Sequence, residues 1–307
     1  MKTKKYIDVE FYEVEDDRAA FVEVTYKGRD KRTHRGLMML DTGSNINAVF
    51  GKMEKDVELV LSPDDENGKE EVVGIKGTKE QMVQVCFPFT MGGTAFNEPF
   101  LLMNRQMDEM QVGELPVVGV LGNVFLQRYE LVVDYAEHSL HTSTIVPKDF
   151  AIEQCEYFCP MYMGLKYYGL PMVFVKETEG DQEVVTVIDT GSADNMASRM
   201  AVERYGLPCS LQDETCDITG IGGTVCARRG RVEFGVKGFA SERQLTVNTY
   251  NDDFMVVEQP ALLDVGGKDE EGDDLPPVEM LLGSVFLGRE GWVLDFGAQA
   301  MYKRRVA

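Results

Sequence analysis

The tetrapeptide Asp-Thr-Gly-Ser occurs twice in this chain, each time behind an apolar run. Met38-Met39-Leu40-Asp41-Thr42-Gly43-Ser44 recurs 148 residues later as Thr186-Val187-Ile188-Asp189-Thr190-Gly191-Ser192. Gly74-Ile75-Lys76-Gly77-Thr78 recurs as Gly220-Ile221-Gly222-Gly223-Thr224, 146 residues on. Val120-Leu121-Gly122-Asn123-Val124-Phe125-Leu126 recurs as Leu281-Leu282-Gly283-Ser284-Val285-Phe286-Leu287, 161 residues on, and Asp134 and Asp295 keep that offset. Three blocks in one order mean that two similar units must fold from one chain. The growth of the offset assigns the second unit an insertion, and the charged, proline-bearing stretch 268–277 fits it as a solvated loop.

The local patterns favour strands. The segments 6–12, 20–26, 37–40, 82–87, 131–134, 172–175, 184–188, 232–236 and 292–295 are short and mostly rich in β-branched or aromatic residues. Helical spacing is confined to short pieces at 122–128, 198–205 and 283–288. A chain of 307 residues holds about two domains. The expected fold is mainly β: two related, barrel-like lobes, 1–150 and 151–307, with a few short helices and a boundary near 145–165.

Composition removes several function classes. The net charge of −21 repels phosphate backbones, so no nucleic-acid partner is expected. No apolar run reaches the ~18 residues that span a bilayer, so no membrane partner is expected. The first residues are not followed by the apolar stretch of a signal peptide, and a cytoplasmic location is expected. A secreted form stripped of its leader would read the same. The six cysteines are expected as free, mostly buried thiols. His34, His138 and His141 show no ligand spacing, so neither metal nor cofactor is expected. Nucleophile-elbow, zinc-protease and phosphate-loop motifs are absent, and Gly220-Ile221-Gly222-Gly223 lacks the third glycine of a dinucleotide loop.

Each Asp-Thr-Gly-Ser places an acid at the end of a buried strand and then turns at Gly43 or Gly191, where no Cβ obstructs a tight turn. A buried acid needs donors or a partner, and the neighbouring hydroxyls and turn amides can supply donors. Two such acids from equivalent places in two lobes can meet across a pseudo-twofold axis. Like charges in contact cannot both ionise readily, so they share a proton. One then takes a proton from water while the other gives one to a carbonyl oxygen.

At these residues the chain resembles the aspartic peptidases, most closely two retropepsin-like lobes joined in one chain as in pepsin. The resemblance rests on the paired Asp-Thr-Gly-Ser, the Gly-Ile-x-Gly segments and the apolar-apolar-Gly-x-x-Phe-Leu blocks, and covers the motif-bearing core of both halves. It implies a bilobal acid-protease fold, with Asp41 and Asp189 catalytic and Thr42 and Thr190 interlocked between the loops. It implies Ser44 and Ser192 on the outer carboxylate oxygens, and Gly122 and Gly283 behind the catalytic turns. Flaps closing on substrate would lie near Gly74, Ile75, Lys76 and Gly77, and near Gly220, Ile221, Gly222 and Gly223. The chain departs from pepsin in having no tyrosine on the first flap segment, and Lys76 stands where the second copy has Gly222.

The resulting expectation is an aspartic endopeptidase that binds a peptide or protein substrate in extended form and needs no dimer for activity. The alternative is a binding module of the same fold without turnover. Asp134 and Asp295 each end an apolar strand at a turn and are assigned to structure. Trp292 reads as core, and Met103, Met107 and Met110 as loop or core filler.

Overall fold

Strands alternate between buried and exposed positions wherever one face meets the core, as in Cys155–Pro160 and Thr94–Met103. In the computed structural model the described residues are 5–14, 19–50, 60–61, 69–73, 79–103, 110–144, 155–164, 167–177, 180–220, 223–240, 244–259, 262 and 275–305. They form a mainly β protein of two barrel-like sheets with a few short helices. Residues 145–154, inside the expected boundary, and 268–274, inside the expected insertion, lie outside the described set, as does Met107.

The sequence repeat is repeated in the hydrogen-bond ladders. Thr33–Asp41 runs antiparallel to Ala20–Lys27 and parallel to Leu115–Gly122, with Asp41 opposite Gly122. Glu183–Asp189 runs antiparallel to Pro171–Lys176 and parallel to Met280–Gly283, with Asp189 opposite Gly283. Beyond each motif, Ala48–Phe50 and Asn195–Ser198 turn back against these parallel partners, at Ala48↔Val120 and Ala197↔Met280. The same residue pattern thus closes the same motif twice.

The division between the two sheets does not follow the halves of the chain. Asp8–Glu10, Leu131–Asp134 and Ser139–Thr142 join the larger sheet, where Val132, Val133 and Asp134 pair with Asp295, Leu294 and Val293. Asp134 and Asp295 serve this seam as turn acids. Asp134 Oδ1 accepts the Ala136 and Glu137 amides at 3.0 Å each, and Asp295 Oδ1 accepts the Ala298 amide at 2.8 Å.

Aromatic side chains fill both barrels. Phe96 packs on Phe89 and Phe125 at 5.1 and 5.3 Å, and Phe234 packs on Phe254 and Phe286 at 5.3 and 5.7 Å. Phe125 and Phe286 are the repeat-related pair. Each such burial contributes about 1.5–3 kcal/mol. Trp292 and Met103 are core residues, and Met110 packs partly buried beside Met103's cluster. All six cysteines are free, but only Cys155 and Cys159 are fully buried, and Cys226 is exposed on a hairpin strand. The expectation of mostly buried thiols is corrected there: alternation along Gly223–Ala240 turns position 226 outward. Among the described residues the α-helices are short segments: Asn123–Arg128, Arg199–Arg204 and Ser284–Arg289.

Candidate active site

Asp41 and Asp189 end the two motif strands, and the turns that follow them face each other. Thr42 Oγ1 donates to the Ile188 carbonyl at 2.6 Å and accepts the Thr190 amide at 2.9 Å. Thr190 Oγ1 donates to the Leu40 carbonyl at 2.7 Å and accepts the Thr42 amide at 3.1 Å. Both threonines are fully buried. Two bonds between the threonines and two more to the Ile188 and Leu40 carbonyls generate a local twofold and bring the acids preceding the threonines together.

The glycines let this approach happen. A Cβ on Gly43 would lie 2.3 Å from Asp189 Cγ, and a Cβ on Gly191 would lie 2.4 Å from Asp41 Cγ. Neither glycine has a positive φ, so the requirement is space for the opposite carboxyl. Gly122 and Gly283 pass behind the turns equally closely, 2.0 Å and 2.5 Å from the Ile46 and Asp194 carbonyl oxygens if a Cβ were present. The next residues close the loops, with Asn123 and Ser284 donating amides to the Ser44 and Ser192 carbonyls at 2.7 Å each.

The carboxyls of Asp41 and Asp189 hydrogen-bond to each other. Burial holds Asp41 well above the ordinary carboxyl range, and the neighbouring charge and hydrogen bond of Asp189 push it further. Burial also raises Asp189, but the Gly191 amide, the hydrogen bond from Asp41 and the Gly43 and Ser192 amides oppose the rise. The Gly191 amide donates to Asp189 Oδ1 at 2.9 Å. The two acids therefore share one proton as a pair, and the surroundings of Asp41 favour the protonated form more than those of Asp189 do.

Ser44 and Ser192 support these acids through their amides. Their hydroxyls donate instead to the Ile46 and Asp194 carbonyls at 3.0 Å each, because each Oγ curls over its own turn.

Two residues that the motif reading passed over complete the loops. Asn47 Oδ1 accepts the Gly122 amide at 3.0 Å, and Asn195 Oδ1 accepts the Gly283 amide at 2.9 Å. The signal was present, since both copies read Asp-Thr-Gly-Ser-x-x-Asn. Outside them, buried Glu98 is paired with Arg128 and buried Asp252 with Arg289, again related by the repeat.

Of the flap residues, Gly74, Ile75, Lys76, Gly77, Ile221 and Gly222 lie outside the described residues. The strands flanking them pair antiparallel, closing at Val73↔Lys79 and at Gly220↔Gly223. Among the described residues no cluster of His, Cys, Asp and Glu could hold a metal ion, and no helix is long and apolar enough to cross a membrane.

No protein-family model matches the chain, and no curated protein matches it in sequence. Solved structures do. Conglutin gamma, a basic 7S globulin from lupine seeds, is similar with a TM-score of 0.50 at 9% identity, over 99% of this chain and 96% of the globulin. Basic 7S globulin from soybean gives a TM-score of 0.52 at 9% identity, over 99% and 97%. An aspartic proteinase from Irpex lacteus gives 0.48 at 10% identity, over 98% of each chain. At such identities the likeness to the two globulins shows the fold alone: this chain shares their overall architecture.

Proposed function

We propose that this protein is an aspartic endopeptidase. The observation that carries the reading is the reciprocal threonine pair, which holds the Asp41 and Asp189 carboxyls in hydrogen-bond contact. In the proposed reaction, ionised Asp189 removes a proton from a water held against the pair. The water oxygen attacks the substrate carbonyl carbon while protonated Asp41 gives its proton to the carbonyl oxygen. The tetrahedral product of that step collapses as the nitrogen is protonated, and the acid and base exchange roles. General acid–base assistance of this kind contributes about 10²–10⁴-fold. The substrate would lie extended between the hairpins that flank residues 74–78 and 221–222, adding strand hydrogen bonds.

Cleavage of a peptide library from pH 4 to pH 8, with Asp41→Asn and Asp189→Asn as comparisons, tests this. The expected result is cleavage by the native chain and a loss of at least about 10³-fold in each variant. Undiminished cleavage in either folded variant defeats the dyad. A native chain that binds peptides without cutting them establishes the non-hydrolytic binding module instead.

A further inference from the structure

The turn that joins Ala20–Lys27 to Thr33–Asp41 carries an unusual charge for a chain of net charge −21: Lys27, Arg29, Lys31, Arg32 and Arg35 fall within nine residues, with His34 among them. All five cations are exposed. Asp30 faces His34 at 2.9 Å and Arg32 at 3.9 Å, and Glu23 takes Arg35 at 2.5 Å, while Lys27 donates to the neutral Thr33 hydroxyl at 2.6 Å, so Lys27 and Lys31 leave the tip net positive. Its backbone is held in one shape. Gly28 donates to Arg32 O at 3.0 Å, Lys31 donates to Gly28 O at 2.8 Å, and Asp30 Oδ1 accepts the Arg32 amide at 2.9 Å. Lys31 sits at φ 63°, a conformation that glycine adopts at no steric cost. A lysine there puts a charge at the apex at the expense of backbone strain.

We propose that this hairpin tip is a docking surface for a short acidic protein segment, separate from the aspartate pair. Thr33–Asp41 spans the distance between them, roughly 26 Å at about 3.3 Å per residue. The acidic body selects the partner's size. Screening confines the field to about 8 Å at physiological salt, so a segment of a few residues meets the tip alone. A long polyanion such as a nucleic acid, or an anionic lipid surface, is pressed against the rest of an acidic molecule and repelled. A rigid cationic tip also spares the bound segment part of the ordering cost on the protein's side.

The test titrates the whole chain against a fluorescein-labelled, glutamate-rich peptide and reads anisotropy at about 0.15 M salt. The expected result is binding that weakens at least about tenfold in Lys31→Gly/Arg32→Ser and is unchanged in Arg305→Ser, which removes a charge elsewhere. Lys31→Gly relieves the backbone, so a matched thermal midpoint shows that the variant folds. Binding should persist in Asp41→Asn, which separates this inference from the peptidase reading. Equal binding by the double variant overturns it, as does no binding by the native chain. Tighter tip-dependent binding of a short DNA duplex or of phosphatidylserine vesicles overturns it too.

Discussion

Thr42 and Thr190 each place a hydroxyl under the other's loop: each accepts the other's amide and donates to the carbonyl two residues before it, at 2.6–3.1 Å. The chain's two acids meet because these two side chains do.

Replacing Thr42 with Ala orphans the Thr190 amide and the Ile188 carbonyl in a dry interior. At about 1–3 kcal/mol per unsatisfied group, the expected loss is roughly 2–6 kcal/mol by denaturant unfolding. Thr42→Ser keeps both bonds and should cost less than about 1.5 kcal/mol. The Thr42→Ala/Thr190→Ala double variant should lose less than the sum of the singles, because one network is broken twice.

Gly191→Ala drives a methyl into the Asp41 carboxyl. Overpacking of this kind costs about 1–3 kcal/mol, and here it also forces the aspartates apart. The expected result is a folded, less stable variant whose peptide cleavage falls at least about 10²-fold, since misplacement by about 1 Å can cost that much. Full activity with a normal midpoint would place the carboxyl contact outside the reaction.

Asn195→Ala should destabilise more than Asn47→Ala. Both leave a buried glycine amide unpaired, at about 1–3 kcal/mol. Asn47 Nδ2 donates only to the Pro99 carbonyl at 3.4 Å, whereas Asn195 Nδ2 donates to Asp252 Oδ2 at 2.9 Å, so its loss takes a donor from a buried carboxylate as well. Paired urea titrations of the two variants give the order directly.

The aspartate pair makes a signed contribution to stability against pH. Burial raises both native pKa values above the ordinary 3.8. Above that value and up to the raised native ones, the folded chain binds more protons than the unfolded chain, so this contribution falls as pH rises. Asp41→Asn removes the group raised most. Its thermal midpoint should exceed the native one at pH 7, and the gap should close below about pH 4. A gap that widens on acidification contradicts the protonated assignment of Asp41.

The removal of Arg289 tests the repeat-related ion pairs outside the loops. Asp252 is buried while Arg289 is about half exposed, so Arg289→Met should cost about 3 kcal/mol, the low end for a broken buried pair. Adding Asp252→Asn should recover part of that loss.

Much of this was legible from residue order. The repeated Asp-Thr-Gly-Ser located both acids, the strand patterns located most ladders, and the Gly-x-x-Phe-Leu blocks located the helices after Gly122 and Gly283. Asn47 and Asn195 were equally visible in outline but unassigned, because an asparagine six residues after an acid has no partner until a second segment lies beside it. The serine hydroxyls were assigned to the carboxylates, and their turns instead use them as local clasps.

A duplicated pattern of apolar strand, acid and tight turn dictates two copies of one local motif, since burial and backbone sterics act over a few residues. Which carboxyl retains a proton is not of that kind. It follows from the amide and carboxyl neighbours around each acid, delivered by residues 148 positions away, and from how far each acid is drawn out of solvent. Desolvation and charge coupling depend on distances through space, and those exist only once the two halves have closed on one another.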